Sequence, residues 1–310
     1  MGEEKRKLIN DLNNIGIDRD FIIQEVFLGY KYRKLSKKLY EEKAEIPTKL
    51  IIIYYSLTPY NISFDNMKKA FIKRYINNES EIEGINTKSI YNKIEIEGLK
   101  SMYEYIHSED INYMFDVYTL KDLHQKLFSA TEHPEYAGNF RNYDVYLPGT
   151  GTNLAEWSII RSELDKIDIE IQELVKKAKE IRKNSNALEL LDYLDKCVII
   201  GCKLIKVHPF GDGNGRTIRG FINKLLENAG LPPIYINAHE RTEYHLAMNK
   251  ANNEGNYDFI KGFYRYKVCD SIIELDINER IKNRNNSSKN NTTKIKNLKN
   301  KPSSNDMNTK

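Results

Sequence analysis

One stretch of this chain, residues 207–219 with the sequence VHPFGDGNGRTIR, limits its possible folds more than any other. Apolar residues lead into the stretch, and the pattern after it predicts a helix over residues 217–228 that ends at Gly230 and the prolines behind it. Glycines let the backbone between these segments turn tightly and approach a bound molecule. The sequence therefore predicts a glycine-rich turn held between two helices.

The charged side chains of this stretch suit the chemistry of nucleotides. His208 is the group there that can accept a proton near neutral pH, so it is the candidate base. Asp212 is placed to reach Mg²⁺, which proteins usually hold through one or two carboxylates and the phosphates of a substrate. Arg216 and Arg219 are three residues apart, so they share a helix face and can both grip phosphates.

The start of the second helix is a candidate phosphate site. Free backbone amides and the helix dipole favour phosphate oxygens at such a position. Asn214 can donate a further hydrogen bond from its side-chain amide. The residues expected to bind nucleotide in this stretch are Gly211, Asp212, Gly213, Asn214, Gly215, Arg216 and Arg219.

The pattern His-x-Phe-x-Asp-Gly-Asn-Gly-Arg-x-x-Arg, which this chain meets from His208 to Arg219, is similar to the signature of the Fic (Fido) family. The resemblance implies an all-α, mainly helical fold with a small β-hairpin flap. It also implies a protein adenylyltransferase that moves AMP from ATP to a Ser, Thr or Tyr hydroxyl of a target protein. His208 is then the catalytic residue, Asp212 the Mg²⁺ ligand, and ATP and Mg²⁺ the expected cofactors.

A second part of the resemblance lies well ahead of this motif. Many Fic proteins carry an inhibitory helix in which a Ser or Thr is followed, after three residues, by Glu-Gly. Glu83 and Gly84 match the Glu-Gly pair, but Glu79 stands where the Ser or Thr belongs, and Ser80 comes one residue later. We expect Glu83 to be the inhibitory residue and to pair with Arg219.

Two alternatives to that expectation stay open. Gly84 is also a typical cap for the end of an ordinary helix. A second Glu-Gly pair, Glu97 and Gly98, lacks a Ser or Thr at the family spacing and is the weaker inhibitory candidate.

Two further segments resemble parts of the Fic domain. The segment from Gly138 to Arg141 leads into an alternating run, and the resemblance implies a flap that docks the target by main-chain pairing. A hairpin that only covers the core is the alternative. The expected docking residues are Tyr143, Asp144, Val145 and Tyr146. A later helix resembles the one that bounds the adenine pocket, and its expected contacts are Tyr244, His245 and Asn252.

Composition and charge suggest the domain organisation. We assign residues 1–75 to an N-terminal helical region, 76–275 to the Fido domain with its inhibitory segment near 79–84, and 276–310 to a basic tail. From residue 281 onward seven Lys and one Arg face one Asp, a charge of +7, so the remaining chain carries −3 of the overall +4. The tail has few apolar residues, and we expect it to be disordered and solvated rather than bound to nucleic acid.

The same composition predicts a cytoplasmic protein without membrane contact. Charged residues make up 30% of the chain, and its apolar runs are too short to cross a bilayer. Cys197 and Cys202 lie in an apolar helical stretch, which predicts reduced core residues. The target protein is not identified by the sequence, and homodimer formation and self-modification stay open.

Other functions also stay open. One Fic branch, with Lys at the position of Gly215, phosphorylates its target, and another branch transfers phosphocholine. Gly215 together with both arginines favours adenylylation. Removal of AMP, with Glu83 orienting a water, and a catalytically weak nucleotide-binding protein are the remaining alternatives.

Overall fold

The computed structural model of the chain describes residues 68–84 and 93–271, apart from residues 109, 113, 130, 132–133, 148–149, 185–186 and 269. Most of the expected N-terminal region 1–75 and all of the expected tail 276–310 lie outside these residues. The boundaries assigned to the three regions therefore stay predictions.

The described residues form a succession of α-helices joined by loops and short 3-10 turns. The helices are α1 (Lys68–Ile82), α2 (Lys93–Ile106), α3 (Thr119–Phe128), α4 (Ile160–Asn184), α5 (Ala187–Val207), α6 (Asn214–Asn228) and α7 (Arg241–Glu254). A further helix, α8, covers residues 258–268. The predicted all-α fold class is confirmed.

The predicted β-hairpin flap is absent as a pair of strands, since none of the described residues is assigned to a strand. Residues 139–147 and 150–156 belong to neither a helix nor a strand, and together we call them the extended segment. The N–H of Arg141 donates to the carbonyl of Pro209 over 2.9 Å, and the N–H of Ala155 donates to the carbonyl of Lys206 over 3.0 Å. These bonds attach the segment to the end of α5 rather than to a second strand.

Helix α6 lies at the centre of the fold. Most of its residues from Asn214 to Leu226 are buried, and it contacts α2, α3, α4, α5. It begins three residues before the predicted start, because the N–H of Thr217 already donates to the carbonyl of Gly213 over 3.0 Å. The glycine-rich turn is therefore short, and it leads directly into the buried helix α6.

Helices α4 and α5 pack against each other and complete that core. Helical periodicity of the sequence predicts helices over residues 155–183 and 187–206, and both are confirmed, although α4 begins only at Ile160. The apolar stripe predicted for α4 comprises Ile167, Ile171, Leu174 and Val175, of which the first three are buried and Val175 is partly buried. Cys197 and Cys202 are buried free cysteines, as expected, and burial raises the pKa of the Cys202 thiol to about 12.

The apolar spacing of residues 113–128 predicts one helix there, but α3 covers only Thr119–Phe128. The Asp116 carboxylate accepts the N–H groups of Tyr118, over 2.8 Å, and Thr119, over 3.2 Å. These bonds close a turn immediately ahead of the helix, so α3 begins only at Thr119. Within the described part of the chain, no helix combines the length and apolar character that a bilayer crossing requires.

Candidate active site

His208 follows the last residue of α5 in a left-handed backbone conformation. Its φ is 49°, and among the described residues no other non-glycine residue has a positive φ. Its N–H still donates to the carbonyl of Leu204 over 2.9 Å, so the residue ends the helix. Such a conformation is unfavourable for a residue with a Cβ, and it persists only where surrounding contacts impose it.

The contacts that impose it come from Arg141, a residue of the extended segment. Its buried guanidinium donates to the backbone carbonyls of Val207 (3.3 Å) and His208 (2.8 Å) at the end of α5, and to those of Tyr143 (2.7 Å) and Ala155 (2.5 Å) in the extended segment. The segment expected to dock a target is thus fastened to the backbone of the candidate base.

Burial, and to a lesser extent the positive charge of Arg141, lower the pKa of the His208 imidazole to about 4. Nearby Asp212 and Glu83 oppose this shift only in part. The ring is therefore neutral at neutral pH. A neutral imidazole is the form that accepts a proton, as a general base must.

Asn214 holds the turn closed from within. Its side-chain Oδ1 accepts the N–H of Phe210 over 2.9 Å, and its Nδ2 donates to the carbonyl of the same residue over 2.8 Å. One N–H of the amide is therefore used inside the turn, and donation of the second N–H to a ligand stays a prediction. Both polar atoms of the side chain are used inside the turn, because the buried backbone of Phe210 needs partners.

His124 on α3 binds the backbone of the turn through its imidazole ring. The N–H of Gly138 donates to its Nδ1 over 3.0 Å, so Nε2 carries the hydrogen and donates to the carbonyl of Asp212 over 3.1 Å. The ring is stacked on Phe128 and Phe210, with centroids 4.5 and 3.9 Å away. The sequence reasoning missed this residue, although a polar side chain within the buried face of α3 was a usable signal.

Asp212 is the acidic group of the turn, and its side chain is 80% exposed. One carboxylate oxygen accepts the N–H of Gly213 over 2.6 Å, and the other lies 3.7 Å from Nη2 of Arg216. The described residues contain no cluster of three or more metal-ligating side chains. A single open carboxylate fits Mg²⁺ that is shared with substrate phosphates, which needs only one or two protein ligands.

Glycines keep the N-terminus of α6 open. Gly213 has a φ of 70°, and a Cβ there would lie 2.3 Å from the Phe128 ring. A Cβ at Gly215 would lie 2.7 Å from Oε1 of Glu83, so the carboxylate reaches the first turn of α6 only because this residue is glycine. The amides of residues 214–216 precede the first hydrogen bond of the helix, which leaves donors of the kind that favour an anion.

Gly211 makes room for a side chain rather than for a ligand. A Cβ at this position would lie 2.3 Å from Oη of Tyr143. Tyr143 therefore covers the expected nucleotide contact at Gly211, and its hydroxyl lies against the turn.

Arg216 is buried between α2 and the turn. Its Nη1 lies 3.0 Å from Oε2 of Glu95, and its guanidinium lies 5.4 Å from the centre of the Phe128 ring. The sequence reasoning did not single out Glu95. Its carboxylate occupies part of the donor fork that was expected to grip phosphates.

Arg219 is bound by two carboxylates that come from the end of α1. Glu83 Oε1 lies 2.7 Å from Nη2, which is the ion pair expected from the sequence, and Glu79 Oε2 also lies 2.7 Å from Nη2. Burial disfavours the charged form of Glu83, but the charge and hydrogen bond of Arg219 outweigh it, so its pKa lies below the ordinary value. Glu83 is therefore ionised at neutral pH.

The neighbours of Glu83 show how the segment is built. The N–H of Gly84 donates to the carbonyl of Glu81, and its φ of 80° ends α1 in the manner expected of a cap. Ser80 donates to the carbonyl of Ile76 over 2.8 Å. The alternative Glu97 is 67% exposed and lies 3.6 Å from Lys100.

The expected adenine contacts lie on α7. Tyr244 is buried, and its ring centre lies 6.0 Å from the guanidinium carbon of Arg219. His245 is exposed and Asn252 is partly buried on the same helix. The neighbouring Asn253 donates to the carbonyl of Thr150 over 2.8 Å, which ties the end of the extended segment to α7.

A model of the Fic/DOC family matches residues 114–226. A protein adenylyltransferase Fic from Culex quinquefasciatus is 30% identical over 244 residues, which make up 76% of this chain and 43% of that protein. Residues 114–226 of the chain are a Fic/DOC family domain. A protein adenylyltransferase Fic from Aedes aegypti matches over the same length and with the same identity. The chain spans less than half the length of these curated relatives.

Solved Fic structures share the fold. A Fic-1 fragment from C. elegans superposes with a TM-score of 0.56 at 19% identity, over 84% of this chain and 78% of that one. A Fic domain containing signaling protein from Bacteroides thetaiotaomicron superposes with a TM-score of 0.52 at 16% identity, over 74% of this chain and 93% of that one. The all-helical architecture is therefore that of the Fic fold.

Proposed function

We propose that this Fic-family chain transfers AMP from ATP to a Ser, Thr or Tyr hydroxyl of a target protein. The observation that carries the proposal is the turn from His208 to Asn214. It joins a neutral imidazole, an exposed carboxylate and the open N-terminus of α6 within one short loop. The Fic relatives named protein adenylyltransferase support the same activity.

In the proposed reaction, His208 accepts the proton of the target hydroxyl while the hydroxyl oxygen attacks the α-phosphorus of ATP. A bond forms between that oxygen and the α-phosphorus, and the bond from the α-phosphorus to the oxygen that bridges to the β-phosphate breaks. Pyrophosphate leaves with that bridging oxygen. The amides at the start of α6 stabilise the negative charge on the phosphates. Because the helix fixes these donors in advance, they need no rearrangement during the reaction.

Asp212 is the residue that would hold Mg²⁺, which supplies positive charge to the phosphates when bound. Arg216 and Arg219 supply the remaining positive charge from α6. Both are paired with carboxylates in this structure, Arg216 with Glu95 and Arg219 with Glu79 and Glu83. A phosphate oxygen therefore competes with these carboxylates for the two guanidiniums.

We further propose that Glu83 is the inhibitory residue of this chain. Its Oε1 lies only 2.7 Å from where a Cβ of Gly215 would be, so the carboxylate lies against the proposed anion site of α6. Two negative groups cannot share that site without a large repulsion. ATP therefore binds productively only when Glu83 has left Arg219.

We propose that residues 143–146 dock the target beside His208, because Arg141 fastens this segment to the turn. Tyr244, His245 and Asn252 are the proposed adenine contacts. A buried Tyr244 leaves the exposed His245 as the more accessible of the two rings.

The test is label transfer from ATP to a protein acceptor, with the full chain and a cell lysate as the acceptor source. We expect Glu83→Gly protein to incorporate label from ATP labelled at the α-phosphate and none from ATP labelled at the γ-phosphate. His208→Ala in the same background should abolish the signal, since general bases contribute about 10²–10⁴-fold.

The labelled position separates the alternatives. Label from the γ-phosphate would show phosphate transfer and overturn the proposal. ATP binding without any label transfer would show a binding protein. Loss of AMP from a previously modified protein, without incorporation, would show that the chain removes AMP.

A further inference from the structure

Arg219 is contacted along two edges of its guanidinium. Glu79 Oε2 lies 2.7 Å from Nε and 2.7 Å from Nη2. Glu83 Oε1 lies 2.7 Å from Nη2 as well. The two glutamates are four residues apart, so both project from the same side of the end of α1. One cation is thus shared by two carboxylates from a single helix.

The two carboxylates lie in different surroundings. The Glu79 side chain is 1% exposed, and that of Glu83 is 35% exposed. Burial raises the pKa of Glu79, although Arg219 opposes the shift, whereas the pKa of Glu83 is lowered. A carboxylate buried this deeply cannot exchange its partner for water, while a partly exposed one can.

They also meet different parts of the guanidinium. Arginine offers one N–H at Nε and two at each terminal nitrogen, in a rigid fork. Glu79 takes the edge formed by Nε and Nη2. The terminal edge, formed by Nη1 and Nη2, faces the start of α6, since a Cβ at Gly215 would lie 2.9 Å from Nη1. Glu83 Oε1 lies near the same point, 2.7 Å from where the Cβ of Gly215 would be.

We propose that Glu79 is a positioning residue that holds Arg219 by its inner edge and presents the terminal edge to the last phosphate of a nucleoside triphosphate. Glu83 and that phosphate then compete for one edge, while Glu79 stays bound in both states. This inference rests on the proposed function of the site. It gives the two glutamates opposite roles, although both are bound to the same arginine.

The consequence is a specific loss of triphosphate recognition when Glu79 changes. A guanidinium released from its inner edge can still carry charge, but it no longer aims a fixed fork at the terminal phosphate. ADP lacks that phosphate and should be bound equally well with or without Glu79. A role of Glu79 in stability alone would weaken both nucleotides together.

The experiment measures the Kd of ATP and of ADP, each with Mg²⁺, by titration calorimetry on the full chain. All variants carry Glu83→Gly, which frees the terminal edge. We expect Glu79→Gln to raise the Kd of ATP by about ten-fold, the loss of one charge-assisted contact, and to leave the Kd of ADP within about two-fold. Ser80→Ala is the matched control on α1, and it should change neither the Kd of ATP nor the Kd of ADP.

Two results would overturn the inference. One is an equal weakening of ATP and ADP binding, or no change in either, in a folded Glu79→Gln variant. The other is activation: if Glu79→Gln alone raised label incorporation as Glu83→Gly does, Glu79 would be a second inhibitory carboxylate. Should Glu79→Gln melt too low to be titrated, Glu79→Ser places the short hydroxyl residue of the Fic pattern there, and the same ATP-specific loss is expected.

The inference and the proposed function fail separately. Absence of label transfer by the Glu83→Gly protein contradicts the function, whatever the two Kd values are. Label transfer with an unchanged ratio of the ATP and ADP affinities contradicts only the role of Glu79.

Discussion

At the scale of single residues, the site depends on side chains whose surroundings set their chemistry. His208 is kept neutral by burial and is held in a left-handed conformation by Arg141. Glu83 is kept ionised by Arg219. Each group therefore has the charge that its proposed role needs, and each can be tested by titration or substitution.

The low pKa of His208 predicts an unusual pH profile. An imidazole must be neutral to accept a proton, so activity is lost below its pKa and complete above it. With a pKa of about 4, we expect kcat/KM of the Glu83→Gly protein to stay level between pH 5.5 and 7.5. A base with an ordinary pKa near 6.5 would lose about ten-fold over that range, and such a loss would contradict the account.

Asn214 should contribute to stability, because both of its polar atoms bind the buried backbone of Phe210. Asn214→Ala leaves these backbone groups without partners. We expect the free energy of unfolding to fall by about 1–3 kcal/mol, measured by urea denaturation. Asn78→Ala removes an exposed amide that binds only its own helix, and it should cost less than about 0.5 kcal/mol. An equal cost of the two substitutions would show that the turn does not depend on Asn214.

At the scale of elements, the helices were predictable and the contacts between them were not. Helical periodicity and the glycine cap placed α4, α5 and α6 within a few residues of their observed bounds. The alternating side chains of the extended segment predict a hairpin. Its backbone instead binds the end of α5 and the residues just after it. Alternation shows which side chains share a face and does not show where the backbone finds its partners.

This extended segment should act in docking by its main chain. Val145→Pro removes one N–H from the segment, and we expect transfer to protein targets to fall several-fold while the Kd of ATP is unchanged. Val145→Ala keeps that N–H and is the matched control. Label transfer should be measured on a target captured from lysate. Unchanged transfer by the proline variant would remove the docking role from this position.

At the scale of the whole molecule, the site is assembled from distant parts of the chain. The signature motif identified His208, Asp212 and Arg219 from sequence, because their spacing is local. The partners of the two arginines were harder to find: Glu95 is 121 residues from Arg216, and Glu79 is 140 residues from Arg219. The sequence pointed to Glu83 only through its resemblance to the Fic inhibitory pattern, and to Glu79 only as a departure from it.

In this structure Glu79 of α1 and Glu83, just beyond its end, both contact Arg219 of α6, and we propose that this arrangement is the resting state. The contact between Glu83 and Arg219 joins the two helices at the anion site. Glu83 is partly exposed, so solvent screening lowers the worth of this pair to about 1.5 kcal/mol. That amount corresponds to about ten-fold in the fraction of competent molecules.

The most direct measurement of the central claim is the rate of AMP incorporation from α-labelled ATP by wild type, Glu83→Gly and Glu97→Gly proteins side by side. Glu97 is the matched control, since it also precedes a glycine but is exposed on α2 and lies 3.6 Å from Lys100. We expect Glu83→Gly to incorporate label about ten-fold faster than wild type or more, and Glu97→Gly to equal wild type. Activation by Glu97→Gly alone, or by neither variant, would contradict the account of Glu83 as the restraint on this site.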